Sequence, residues 1–249
     1  MRRTGPAPDP QGSVDGGRRL VRRRARGAGP ALAAAALTGL VVLHRLGSTY
    51  GSTVAERRRA LPGDDLVLNP QVVANHARTI AATPEAVWPW LLQVGWHRGG
   101  WYTPRWVDAL LFPANLPSAS RLLPDHAHLA VGDWIPDGPP SAECGFVVRE
   151  VRSGRALVLH STTHLPLSWR RRGRRVTWTW AFVLSPVAGG TATRLVFRWR
   201  ARTHPWWLTA GVHLFLLPAD FVMSRGMLRG LARRVEPRTG LSNRPAGRA

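Results

Sequence analysis

Cys144, His160, the run Asp125-His126-Ala127-His128 and the pair Asp64-Asp65 carry the functional groups needed for nucleophilic, acid–base or metal-assisted work. Each has an ordinary alternative. A catalytic thiolate needs a base beside it, and a lone cysteine is more often a small buried residue. The Asp125–His128 run sits at loop spacing with no second cluster to complete the three or four ligands that zinc takes, so no metal site and no cofactor are expected. Asp64 and Asp65 follow Pro62-Gly63 and read as turn carboxylates. Asp133, in VGDW, reads as a turn or cap residue. His160 shares a strand face with Ala156 and Val158. If that face is internal, its imidazole can hydrogen-bond a bound carbonyl or act as a base near neutral pH. The competing reading, a core-edge histidine bonded to backbone, is the favoured one. The chain has no G-x-S-x-G, no phosphate loop ending in Gly-Lys-Ser and no G-x-G-x-x-G.

The aromatic residues point elsewhere. Between Thr83 and Trp106 there are five tryptophans, around the adjacent glycines Gly99 and Gly100. Tryptophan and tyrosine combine a large apolar body with one polar handle, which suits the wall of a pocket for an apolar guest. Trp101, Tyr102, Trp106, Trp178 and Trp180 are the expected wall, with Phe221 and Met227 closing it from a C-terminal helix and His160 as the polar contact. A plain aromatic core is the alternative for any one of them.

Elements that could position these residues are legible. Residues 71–80 read as a strand. Thr83-Pro84-Glu85 opens a helix, with Thr as N-cap and Pro in the first turn, although Pro89 removes a backbone donor from it. A second short helix is expected over 103–112. The hydrophobic period then falls to two, giving strands at 129–135, 144–151, 155–162, 176–185 and 192–201. In the fourth of these, Val176, Trp178, Trp180, Phe182 and Leu184 share one face. In the last, Leu195, Phe197, Trp199 and Ala201 oppose Arg194, Arg198 and Arg200. Gly189-Gly190 supplies the hairpin between them. A long helix ends the pattern, with Pro218 kinking or starting it and arginines in its last turns. The fold class is therefore α+β: a curved antiparallel sheet with two short helices and a long C-terminal helix packed across one face.

The chain of 249 residues carries 35 basic and 14 acidic residues, a net charge of +21, and every basic residue is arginine. Such charge favours anionic surfaces. Arg170, Arg171, Arg172, Arg174 and Arg175 are the densest group and read either as a solvated loop tip or as a contact for lipid headgroups; nucleic acid is the less favoured partner. Residues 1–28, rich in Arg, Gly and Pro, are expected to be disordered. Residues 29–46 are uncharged up to Arg45 and about as long as the shortest membrane span. They are expected to anchor the chain with its N-terminus in the cytoplasm, because arginines are in excess on that side. A cleaved signal or an interfacial helix are the alternatives, which leave the chain cytoplasmic or exported. Residues 47–70 read as a linker, 71–236 as the folded domain and 237–249 as a disordered tail.

Four stretches, ATPEAVWPWLLQVG (82–95), RGGWY (98–102), LAVGDWI (129–135) and ADFVMSRGMLRGLARR (219–234), resemble a bacterial subgroup of the START and polyketide-cyclase-like superfamily, also called SRPBCC, over about residues 70–235. The resemblance implies a helix-grip fold that holds an apolar ligand between sheet and long helix. Members that look like this include carriers, cyclases and dehydratases. No catalytic motif of the superfamily maps onto this chain. Binding of a small hydrophobic or lipid-like molecule without chemistry is the leading expectation. The alternatives are a cyclase-, dehydratase- or hydrolase-type enzyme using His160 or an Asp in the same cavity, and an Arg-rich module for nucleic acid or anionic surfaces.

Overall fold

The computed structural model describes residue 5, residues 15–111, residue 114 and residues 116–236, with the backbone alone for 15–28 and 111. The tail expected over 237–249 lies outside them, as does most of the segment before Asp15. Two compact units are distinguished, residues 1–42 and residues 43–249.

In the first unit residues 15–42 are helical. α1 starts at Asp15 and continues into the second unit as far as Thr49. Residues 15–28 belong to this helix. Arg, Ala and Leu are good helix formers, and a helix needs no core to satisfy its own backbone. The stretch Gly29–Thr49 is long and apolar enough to cross a membrane, with a mean hydropathy of 1.5, and its Leu32, Leu37, Val41 and Val42 side chains are exposed.

In the second unit, α2 (Val54–Arg58) precedes β1 (Val72–Ile80), α3 (Pro84–Leu92) and α4 (Arg105–Leu111). Next come β2 (Trp134–Pro136), β3 (Gly145–Arg152), β4 (Ala156–Ser161), α5 (Leu167–Arg171), β5 (Arg175–Val187) and β6 (Ala192–His204). α6 (Trp206–Gly211) runs through a π-helical turn (Val212–Leu216) into α7 (Leu217–Val235). The six strands form one sheet, ordered β1-β6-β5-β4-β3-β2, with every pairing antiparallel. This is the expected α+β, helix-grip arrangement. α3 begins where its caps place it, with the Thr83 hydroxyl accepting from the Ala86 N–H, and it retains Pro89 inside. The expected strand at 129–135 shrinks to three residues because Val131 and Gly132 form a turn, closed by the Asp133 N–H on the Ala130 carbonyl and by the Ala130 N–H on the Asp133 carboxylate.

The period-two faces of β5 and β6 pair as expected: Trp178 lies opposite Ala201, Trp180 opposite Trp199 and Phe182 opposite Phe197. With Leu157 and Leu159 of β4 and Phe146 and Val148 of β3 they form the inner face of the sheet. α3 contributes Val87, Trp88 and Leu91 to this core, and α7 contributes Leu217, Met227, Leu228 and Leu231. At the start of this unit α1 runs beside the C-terminal helices: His44 stacks on His213, and the Tyr50 ring meets the edge of Phe221 at 5.4 Å.

The outer face is covered too. Residues 51–70, expected as a linker, lie across it. Arg198 of β6 is buried there. Its guanidinium donates to Asn75 Oδ1 and Asp64 Oδ2, both at 2.6 Å, and to the carbonyls of Glu56, Arg57 and Arg59. Arg194 pairs with Glu56 at 2.7 Å and Arg200 with Asp64 at 3.0 Å. A buried guanidinium left unpaired is costly, so these arginines fasten the segment to the sheet.

Candidate functional site

A cavity of about 680 Å³ opens between the inner face of the sheet, α7 and the loops before β3 and after β4. Two close approaches of backbone shape one wall. A side chain at Gly230 would place its Cβ 1.9 Å from the Tyr102 carbonyl oxygen, and one at Gly226 would meet Pro104 at 2.4 Å. Glycine at these two positions, four apart on α7, lets the segment 101–104 lie directly on the helix and puts the Trp101 ring into the cavity wall.

That wall is aromatic where the sheet forms it. Trp178 and Trp180, two apart on β5, project from the same face beside Phe197. Trp101 meets Trp180 edge-on at 4.9 Å, and Phe146 lies 4.7 Å from Trp180. From the helix come Leu216, Met223 and Met227. Of the residues expected to line the cavity, Trp101, Trp178, Trp180 and Met227 do so.

Four do not. His160 points from the opposite side of β4: its neighbours Leu159 and Ser161 pair with Trp180 and Trp178 on the inner face, whereas His160 pairs with Thr179. Its pKa is lowered by burial and by Arg149. Ala156 and Val158 are buried beside it because the outer face is itself covered, so burial alone did not mark the inner side. Tyr102 is buried on the far side of the 101–104 segment, where its hydroxyl donates to the Trp90 carbonyl at 2.6 Å. Burial raises its pKa well above the ordinary phenol value. Trp106 stands on the outer side of α4, 61 % exposed. Phe221 faces Tyr50 and lies under the Arg225 guanidinium, a turn away from the stripe that meets the cavity.

Two carboxylates line the cavity, each at the centre of a polar cluster. Asp137, in the turn after β2, accepts from Trp101 Nε1 at 2.7 Å and pairs with His164 Nε2 at 2.9 Å. His164 Nδ1 lies 2.7 Å from the Ser161 hydroxyl. The Thr163 N–H donates to that same hydroxyl oxygen at 3.0 Å, which fixes the serine in place. The second carboxylate, Asp220 in the first turn of α7, pairs with His76 Nε2 at 2.6 Å and accepts from Trp199 Nε1 and from the Ser224 hydroxyl, both at 2.9 Å. His76 is fully buried on β1, and its Nδ1 has no hydrogen-bond partner. The indole N–H groups of Trp178 and Trp180 are likewise buried without an acceptor.

Asp137, His164, His76 and Asp220 were not among the expected site residues. A signal existed for Asp220, since a charged residue with Ser224 four positions on interrupts the apolar stripe of a core helix. For Asp137 and His164, which sit in turns without periodicity, there was none.

Cys144 also lines the cavity. Burial, then the nearby Asp137 charge, pushes its thiol up to about 12, which removes it as a nucleophile at neutral pH. Asp125, exposed, and His126, half-buried, form a helical turn, and among the described residues no group of three possible metal ligands converges. Of the basic group, Arg170 donates to the Ala142 carbonyl and lies 3.7 Å from the Glu143 carboxylate. Arg174 sits over Trp169 and Trp207, and Arg171, Arg172 and Arg175 are exposed. The group is not a bare hairpin tip, since α5 supplies its first half.

No protein-family model matches the sequence, and no curated protein does. Solved structures give likenesses of fold at low identity. Protein MLL2253 of Mesorhizobium loti is 16% identical, with 65% of this chain and 95% of that chain covered and a TM-score of 0.35. Protein jhp0584 of Helicobacter pylori is 10% identical, with 71% and 95% covered and a TM-score of 0.44. DynU16, a protein of the dynemicin biosynthetic locus, is 13% identical, with 65% and 46% covered and a TM-score of 0.34.

Proposed function

We propose that this protein binds a small, largely apolar or lipid-like molecule in the cavity between sheet and α7, and that residues 29–46 tether it to a membrane with the N-terminus on the cytoplasmic side. One observation carries the ligand reading: a cavity of about 680 Å³ is walled by Trp101, Trp178, Trp180 and Phe197 and closed by methionines. Its volume falls within the range of about 300–1,000 Å³ typical of small-molecule sites. A close-packed interior has few voids larger than a water molecule, so a space of this size between aromatic walls suits a guest. Methionine adapts to irregular apolar shapes. The arginine excess before residue 29 supports the orientation.

The test is native mass spectrometry and lipid extraction on the full-length chain purified from its own host. A co-purifying apolar molecule near one-to-one, lost when Met223→Trp fills the cavity, is the expected result. A protein that emerges empty, with tryptophan emission indifferent to a panel of lipids, overturns the reading.

Acid–base chemistry in the same cavity is a second reading, favoured by the Asp137–His164 pair in its wall. A carboxylate that orients an imidazole, which in turn contacts a hydroxyl, is an arrangement able to move a proton. On this reading His164 takes the role considered for His160. A basic nucleic-acid module has less support, because Arg194, Arg198 and Arg200 are occupied by Glu56 and Asp64.

A further inference from the structure

The N-terminal half of the C-terminal helical segment leaves large side chains in solvent. Trp206 is 76% exposed, Phe215 74% and Leu214 50%, and Trp207 is partly exposed. These residues are close in sequence on α6 and the π-helical turn, and none contributes to the buried core. Single exposed apolar residues are ordinary on a protein surface. A group of them that includes two tryptophans calls for a partner.

What lies beside this group says which partner. Trp207 meets Trp169 edge-on at 5.3 Å, and the Arg174 guanidinium sits 5.7 Å from the Trp207 ring. The arginine group at 170–175 is therefore in contact with the aromatic one. Among the described residues, only Arg170 of that group has a carboxylate partner, Glu143 at 3.7 Å. Tryptophan, phenylalanine and leucine beside unpaired arginines match the layering of a bilayer surface, in which anionic headgroups overlie acyl chains. The chain also enters this unit in the same place. Leu43 is its first residue, and His44 Nε2 lies 3.1 Å from His213 Nδ1, two residues from Phe215.

The cavity shares this edge. Leu216, next to Phe215, lines it, as do Pro166 and Leu167, three and two residues from Trp169. We propose that Trp206, Trp207, Leu214 and Phe215, with Arg171, Arg172, Arg174 and Arg175, form a docking surface for an anionic lipid bilayer, and that the cavity takes its guest directly from that bilayer. The route of entry rests on the ligand reading above; the docking surface does not.

The experiment uses the full-length chain carrying Cys144→Ser. An environment-sensitive nitrobenzoxadiazole label is placed at Phe215→Cys, or at Thr191→Cys as a control. Thr191 follows the β5–β6 turn, at the end of that hairpin opposite His204. The protein is reconstituted into vesicles of phosphatidylcholine, with or without phosphatidylglycerol. The label at 215 is expected to shift to shorter wavelength and to be quenched by spin-labelled acyl chains, while the label at 191 stays water-like. The 215 signal should be larger with phosphatidylglycerol and should weaken with salt, as screened arginine contacts would.

A label at 215 that matches 191 in both vesicles overturns the proposal. So does a shift at 215 that appears without any bilayer together with cross-linking of 215 to a second copy, which assigns the patch to self-association. Should the 215 label disturb folding, Trp206→Cys is the parallel site, with the same two outcomes. Extraction of bound lipid from the same samples separates the two claims. A docked but empty protein sinks the ligand reading alone, and a loaded protein with a water-exposed 215 sinks the docking surface alone.

Discussion

His76 Nε2 lies 2.6 Å from Oδ2 of Asp220, joining the edge strand β1 to the first turn of α7 across 144 residues of sequence. The same oxygen accepts the indole N–H of Trp199, and the other carboxylate oxygen accepts the Ser224 hydroxyl. Asp220 thus ties the long helix to two strands and stands on the cavity wall. Replacing it with leucine strands the His76 and Trp199 donors in a buried site. A loss of about 3–5 kcal/mol is expected, as for a buried pair deprived of one partner. Asp220→Asn keeps an acceptor and should cost less, about 1–3 kcal/mol. Chemical denaturation of the full-length chain in detergent, followed by tryptophan emission, measures both. Equal stability of Asp220→Leu and the parent would show that the cluster is not a tie.

On the opposite face of the sheet, Arg198 holds the segment 56–64 through its bonds to Asp64 and to three backbone carbonyls. Arg198→Met leaves those acceptors without their donor. The expected loss is again about 3–5 kcal/mol, together with release of the segment, so limited proteolysis should cut within residues 55–66 well before the sheet unfolds. Cleavage at the parental rate would contradict this account.

Glu56 gives a pH signature. The hydrogen bond from Arg194, opposed by burial and helped by the Thr53 backbone, lowers its pKa from 4.5 to about 2. A depressed carboxylate contributes stability that is complete above its unfolded value and is lost as pH falls through its folded one. Thermal midpoints should therefore fall between pH 4.5 and about 2 more steeply in the parent than in Glu56→Gln. Parallel curves would remove Glu56 from the acid limb.

The two histidines of the β4 region should separate cleanly. His164→Ala removes a ring that touches Phe146 at 4.4 Å and Trp178 at 5.0 Å, and frees Asp137 and Ser161 in the cavity wall. On the ligand reading it should weaken binding by roughly tenfold, about 1.4 kcal/mol. His160→Ala, on the other face, should leave binding unchanged. Titration of the extracted ligand against both variants decides, and a larger effect at 160 would reverse the assignment of faces.

Cys144 should resist alkylation. With its thiol raised to about 12 from an ordinary 9, the thiolate is on the order of a thousandfold scarcer at neutral pH than in a free cysteine. Iodoacetamide labelling of the folded and denatured chain, followed by mass spectrometry, measures the ratio.

Local pattern determined much of this protein. The period-two faces of β5 and β6 appear as read, and Thr83-Pro84 starts α3, because strand faces and helix caps depend on neighbours a few residues apart. Trp101, Trp178, Trp180 and Met227 were identifiable as lining residues by the same logic. Tertiary structure decided which face of β4 is the inner one. Its apolar run reads alike from both sides, since residues 51–70 bury the outer face with Leu61 and the Asp64–Arg198 pair, so the sequence pointed to His160 where the fold places His164. Tertiary structure also decided the polar groups of the cavity. Asp137 with His164 and His76 with Asp220 are 27 and 144 residues apart. Turn residues have no period to reveal their direction, and a hydrogen bond across such a separation exists only once the sheet and α7 have closed on each other.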